Sequence, residues 1–365
     1  MNTDTSALVQ PKTVREAVAL TLAYCDAQGL VATAFDVWYN LIRYQASYGA
    51  VLSALQELVA ESRLITQDGY YSLRGLDAIE ARQLRHKVSE YKWRRARRVA
   101  RLLSLVPFVQ AVSVVDSVAL NKAKPQSDID FFIVTTPGHL WAARMCATAL
   151  TQALRLRRHG THVRDRACLS FYATSDALAL QNLSIAGGDL YLAQWVYLVS
   201  PLWQRAGFDL TQQLIQHNPW AAELFPQRAT GTVSDRRTVE PGLARLTRPF
   251  QWTLETLLAK RLGRWVETKL RTLQLRYMHK TLPTEIKNRS SHIVINDRML
   301  KFHEQDRRTW FRERTLATYQ RLLAREPLNL SLDDVRFASG GLLVQPIGAT
   351  LVQHRPQSTT LPAPA

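Results

Sequence analysis

The stretch AVSVVDSVALNKAKPQSDIDFFIVT, residues 111 to 135, decides how the chain reads. Ala111 to Val115 and Phe131 to Val134 are short, β-branched or aromatic runs bounded by polar residues, which predicts two buried strands. Between them a polar turn ends in Ser127-Asp128-Ile129-Asp130. Alternate residues of a strand share a face, so Asp128 and Asp130 project together while Ile129 points away. Two carboxylates held side by side repel unless a positive charge lies between them, and a hard divalent cation with oxygen ligands answers that need.

Asp116-Ser117 stands at the end of the first strand, and ten residues separate Ser117 from Asp128. This layout resembles the nucleotidyltransferase (polymerase-β-like) superfamily, whose signature is a strand, a Gly-Ser or Gly-Gly turn, a short spacer and Asp-h-Asp/Glu on the next strand. Ser117, Asp128 and Asp130 match that pattern; Asp116 stands where glycine is usual. The resemblance implies that Asp128 and Asp130 are catalytic and bind Mg²⁺ or Mn²⁺. It also implies that Asp116 and Ser117 form the nucleotide-binding turn, with the phosphates at a helix N-terminus. Lys122 and Lys124, in the spacer, are candidates for neutralising phosphate charge, or are simply solvated. A third carboxylate is expected on a later strand. In RACLSFYA, residues 166 to 173, Ser170 holds that place, with Asp165 and Asp176 only at the flanks.

The net charge of +17 is uneven: residues 1 to 75 hold five Lys/Arg and seven Asp/Glu, leaving +19 for the rest. Such a field favours a polyanion, whether nucleic acid, nucleotide or acidic membrane surface. Cys25, Cys146 and Cys168 are scattered and odd in number, and the start MNTDTSALVQPKT has no basic-then-apolar order. Together these predict a cytoplasmic protein with reduced thiols. The most apolar stretch, Leu183 to Trp203, carries Asp189, Gln194 and Pro201, so no membrane span is expected.

Helical spacing over 13–27, 34–43 and 48–62, then a hairpin around Gln67-Asp68-Gly69, resembles a winged helix over residues 12–75. Its third helix offers Glu57 and Glu61 rather than cations, so a protein-contact module competes with DNA binding. Residues 76–104 predict a basic connecting helix; 82–101 hold nine Lys/Arg and one Glu. Leu84, Val88, Tyr91, Arg95 and Val99 can share its stripe, and the charged side is either a solvated face or a grip for nucleic acid or acidic lipid. His159 and His162, in the basic loop that follows a predicted helix over 139–156, have no Cys or carboxylate cluster to complete a metal site.

Residues 105–226 form the expected nucleotidyltransferase domain, with a helix over 183–199. A polar linker covers 227–242, and a mainly helical region covers 243–350, with long basic helices broken near Pro249. A strand at Ile293 to Ile295 and a polar cluster (Lys301, His303, Asp306, Arg307) follow, and the tail from His354 is expected to be disordered. The order of parts is similar to that of bacterial stand-alone nucleotidyltransferase-domain proteins with an N-terminal winged helix. SDIDFFIVT, CLSFY, Asn218-Pro219-Trp220 and MLKFHEQDRR carry the resemblance. The expected class is α+β: a winged helix, a central mixed-sheet nucleotidyltransferase fold and a helical C-terminal region. The expected function is metal-dependent transfer of a nucleotidyl group from an NTP to an acceptor the sequence does not name. The alternative is a catalytically degenerate nucleotide- or nucleic-acid-binding protein on the same fold, with nucleic acid held by the basic helices.

Overall fold

Thr13, Thr33 and Ser47 each receive a backbone N–H at the start of a helix, and these caps set out the N-terminal segment: α1 (Val14–Ala27), α2 (Ala34–Tyr39) and α3 (Tyr48–Ala60). Thr33 and Asp36 cap each other reciprocally. Strands β1 (Ala32–Thr33), β2 (Ile65–Gln67) and β3 (Tyr70–Ser72) make a small antiparallel sheet in the order β1-β3-β2. The hairpin turns at Asp68 and Gly69, both at positive φ. β1 escapes periodicity because two residues carry no pattern. The computed structural model describes residues 8–229, 238–239, 244–281, 293–302 and 306–325.

A single helix, α4 (Leu76–Leu103), leads from this segment into the central sheet. Its buried stripe is Lys92, Trp93, Ala96, Val99, Ala100 and Leu103, whereas Leu84 and Tyr91 are exposed. The stripe expected through Leu84 and Tyr91 is therefore rotated. Small Ala96 and Ala100 allow close approach, and Lys92 is drawn inward by Asp165 at 2.6 Å and the Ser127 carbonyl at 2.7 Å. Arg82 also donates to the carbonyls of Leu120 and Asn121, and Trp93 donates to Asn121 at 2.9 Å. Much of the basic character of α4 thus fastens the turn that follows the first central strand.

The protein is α+β. Strands β4 (Val109–Val114), β5 (Ile129–Thr135), β6 (Ala167–Thr174), β7 (Ser200–Gln204), β8 (Ile293–Ile295) and β9 (Met299–Phe302) form a mixed sheet in the order β7-β4-β5-β6-β9-β8. Only β5 and β6 pair in parallel, and α6 (Leu140–Ala153) makes the crossover that parallel pairing requires. One face buries Val112, Phe131 and Ile133 under Trp93 and Trp141. The other buries Phe132 and Phe171 against Trp195, Leu316 and α1.

Beyond β6, a 3₁₀ turn at Gln181–Leu183 precedes α7 (Leu190–Leu198), which Asp189 caps, so the helix starts later than the apolar run suggests. Next come α8 (Leu210–His217), α9 (Trp220–Leu224) and α10 (Pro226–Ala229). Asn218 is fully buried; its amide donates to the carbonyls of Leu178 and Leu214, and its oxygen accepts from Leu180 N–H at 2.7 Å. The Asn-Pro-Trp trace is thus a structural lock at this corner.

The C-terminal part is mainly helical where it is described, with two short strands. α11 (Ala244–Leu258) runs through Pro249, and the chain breaks instead before α12 (Arg261–Thr281). Gly263 fixes that corner, because a Cβ there would lie 1.5 Å from the Leu258 carbonyl oxygen. β9 then joins the central sheet beside β6, and α13 (Arg308–Leu323) packs along α1. The expected linker at 230–237 and 240–243, His303, and everything past 325 lie outside the described residues. Among the described residues no helix is long and apolar enough to cross a membrane.

Candidate functional site

β4 and β5 run antiparallel with Val114 opposite Phe131, and the Val115 N–H donates to the Asp130 carbonyl at 3.1 Å. That register carries the chain after β4 past the start of β5, so Asp116 arrives beside the Asp128/Asp130 pair. Asp116 has φ +55°, the left-handed conformation that glycine adopts freely and aspartate tolerates better than most residues. The side chain in the usual glycine place is therefore accommodated, and the Tyr191 hydroxyl of α7 donates to it at 2.7 Å. Ser117 follows on a one-turn helix, α5 (Asp116–Ala119), whose short dipole contributes little charge.

In the parallel β5–β6 pairing Asp130 stands opposite Cys168. Ligand atoms of Asp128, Asp130 and Cys168 lie within 4.8 Å of one another, the one such trio among the described residues. The neighbour expected on β6 was Ser170; the structure brings Cys168 there, opposite Asp130. Periodicity gave the shared face of Cys168 and Ser170, but the strand register chooses between them. Asp165 is held by Lys92, and Asp176 by Thr174 at 2.6 Å and Arg298 at 3.3 Å, so neither flanking acid completes the group.

The electrostatics are strained. Burial, then the charges of Asp128 and Asp116, push the Asp130 carboxyl well above the ordinary carboxylate range. Burial, then the charges of Asp130 and Asp128, raise the Cys168 thiol. Arg158, from the loop before β6, reaches Asp128 at 2.8 Å. One guanidinium thus supplies part of the positive charge this acidic corner requires.

Cations gather on the Asp116 side. The ammonium of half-buried Lys122 turns inward to Gln28 at 3.0 Å and lies 6.0 Å from the centre of the Phe311 ring, which stacks on Tyr191. Burial lowers Lys122 to about 8, with Asp116 opposing the shift. Lys301, buried on β9, is likewise lowered to about 8 by burial and Arg308, opposed by Asp306 and Asp116. Lys124 is exposed on the turn; burial of its ammonium and the charges of Arg85 and Arg307 lower it. The turn lysines expected to act alike are therefore separated, Lys122 facing inward and Lys124 outward.

Arg158 and Tyr191 carried no signal in the sequence, since a basic loop and an apolar helix each offer many equivalent residues. His159 and His162 face each other, ring centres 5.1 Å apart, with no third ligand-type side chain joining them among the described residues. Comparison with protein-family models, with curated proteins and with solved structures finds no match.

Proposed function

We propose that the protein is a nucleotidyltransferase-type enzyme that binds an NTP with Mg²⁺ or Mn²⁺ at Asp128 and Asp130. The observation that carries the reading is the register of β4 and β5, which sets a turn with positive φ at Asp116 against the partly buried carboxylate pair. The donor set fits a divalent ion: two carboxylates, one of them pushed up by burial beside two other acids, have a single guanidinium, Arg158, as counter-charge. Asp128 and Asp130 would hold the ion, with Cys168 beside them as a softer donor that favours Mn²⁺ over Mg²⁺. When bound, the ion would offset the charge of the triphosphate being attacked. The chemistry is attack of an acceptor hydroxyl, amine or phosphate on the α-phosphate, with pyrophosphate leaving. Lys122 and Lys301 would steady the phosphate oxygens. The N-terminal segment, by its helix and strand order, is read as a winged helix that contacts protein; α3 exposes Glu57 to solvent.

A thermal-shift series with each of the four NTPs, with and without Mg²⁺ or Mn²⁺, tests the proposal. Stabilisation by NTP only when metal is present is the expected result; equal melting in every condition would remove it.

A second, degenerate reading is favoured by two particulars: Arg158 already engages Asp128, and Cys168 stands where a third carboxylate would help place an activating ion. Nucleotide binding should then be easier to detect than turnover. Cys168→Asp should raise pyrophosphate release at least about tenfold if only that ligand is lacking, since tenfold corresponds to about 1.4 kcal/mol of barrier. An inert Cys168→Asp that still binds NTP would favour the degenerate form.

The lysines give a pH dependence. A phosphate binds the charged ammonium, so affinity is full below the folded pKa and falls as pH rises through it. With Lys122 and Lys301 both near 8, NTP affinity measured by titration calorimetry from pH 7 to 9 should decline steadily. Ordinary lysines, near 10.4, would leave it flat over that window.

A further inference from the structure

The inner sides of α11 and α12 are fully employed. Gln251 donates to the Ser104 carbonyl at 2.9 Å, and Glu255 accepts from the Phe108 N–H and pairs with Arg205. Glu267 accepts from the N–H groups of Trp141 and Ala142, and Gln274 donates to the Trp141 carbonyl. These contacts use both acids of the two helices and fix which side faces the body.

The outer sides carry a different chemistry. Phe250, Trp252, Trp265 and Tyr277 are 72%, 69%, 60% and 67% exposed, and Leu257, Leu262 and Leu273 are also more than half exposed. Seven lysines and arginines of the same helices are exposed, Arg271 of them paired with Asp297, and the ammonium of Lys269 lies 5.8 Å from the centre of the Trp265 ring. Soluble proteins rarely leave so many large apolar side chains together in water. Helix α4 adds Arg94, Arg98 and Arg101, exposed on the side turned away from the sheet.

We infer that the outer face of α11 and α12 is a docking surface for an anionic lipid bilayer. Aromatic and leucine side chains enter the boundary between headgroups and acyl chains, and lysine and arginine meet the acidic headgroups. Charge complementarity selects the lipid class: no acid of either helix lies on that face. The exposed leucines select lipid over nucleic acid, because bases reward flat rings and cations, whereas aliphatic side chains gain only from an apolar phase. Among the described residues no helix is long and apolar enough to span the bilayer, and the contact is peripheral. This inference is independent of the chemistry proposed at Asp128 and Asp130.

The test is flotation of the full chain with phosphatidylcholine vesicles, alone or with about 30 mol% phosphatidylserine, with tryptophan emission recorded in parallel. The expected result is flotation with the acidic vesicles, a blue shift of emission, and affinity for the neutral vesicles about tenfold weaker or less. Trp252→Ser with Trp265→Ser, and separately Arg264→Glu with Lys269→Glu, should each weaken binding about tenfold or more without changing the melting temperature, since all four side chains are exposed. Equal binding to both vesicles, or to neither, overturns the inference. So does retention of a duplex RNA by the tryptophan variant without flotation, which would mark a nucleic-acid face. A wild-type dimer dissolved by the same tryptophan changes would mark a self-interface and overturn it equally.

Discussion

Asp128→Asn combined with Asp130→Asn is expected to abolish metal-dependent stabilisation by NTP while raising the melting temperature of the ligand-free protein. Each asparagine keeps the shape of the aspartate and removes its charge. The site concentrates Asp116, Asp128 and Asp130 around a buried carboxyl whose ionisation burial and both neighbours oppose, so neutral side chains relieve a cost in the folded state. Arg158 loses a partner, but it is partly exposed and water can solvate it. The two readouts move in opposite directions, which a generic loss of structure cannot imitate. If the variant binds metal and NTP like the wild type, the site lies elsewhere. If the ligand-free protein melts lower, the pair is a structural ion-pair element instead.

The largest stability effect is expected at Arg308. Its guanidinium is buried, donates to the Leu183 carbonyl at 2.6 Å and to Asp189 at 2.7 Å, and also pairs with Asp306. Arg308→Met would leave the fully buried Asp189 without its cation, and removing one partner of a buried pair costs about 3–5 kcal/mol. Burial already raises Asp189, with Arg308 the main opposing influence, so the variant should raise it further. A carboxyl whose folded pKa lies above its unfolded value favours folding when protonated. Its contribution is present at low pH and is lost as pH rises through the folded pKa. The deficit in Arg308→Met should therefore be smaller near pH 5 than near pH 8 by urea unfolding, and adding Asp189→Asn should recover much of it. A loss under about 1 kcal/mol at pH 8 would contradict the burial argument. The neighbouring Asp306 has the opposite sign: Arg308 holds it below the usual range, so its contribution is lost only as pH falls into the acid region.

Strand β4 and strand β5, which bears Asp130 with Asp128 just before it, were legible because β-branched and aromatic runs between polar turns are a local signal, and so was the amphipathic α6. What the sequence concealed is non-local. β9 is four residues long and rests on pairing with β6, not on its own pattern. The choice of Cys168 over Ser170 is made by the β5–β6 register, which sets Asp130 opposite Cys168. Lys92 reads as one more cation of a basic helix, yet it is fully buried on Asp165, because the Pro125 and Ser127 carbonyls and that acid lie beneath it. In each case the deciding partner lies far along the chain.

The pairing of β9 with β6 and of α13 with α1 has a bearing on synthesis. α1 buries nearly its whole circumference, one side under α3 and another under α13. Its first partner leaves the ribosome almost at once; the second cannot exist until residues 308–323 have been made. At about 5–20 residues per second, the apolar flank of α1 and the open edge of β6 wait on the order of tens of seconds for their covers. The nascent chain therefore carries a sticky helix flank while most of the residues between α1 and α13 are made, and an unpaired strand edge from β6 until β9 is made. Chaperone dependence and loss of products truncated before α13 are the cellular signature to expect from packing an early helix against a late one.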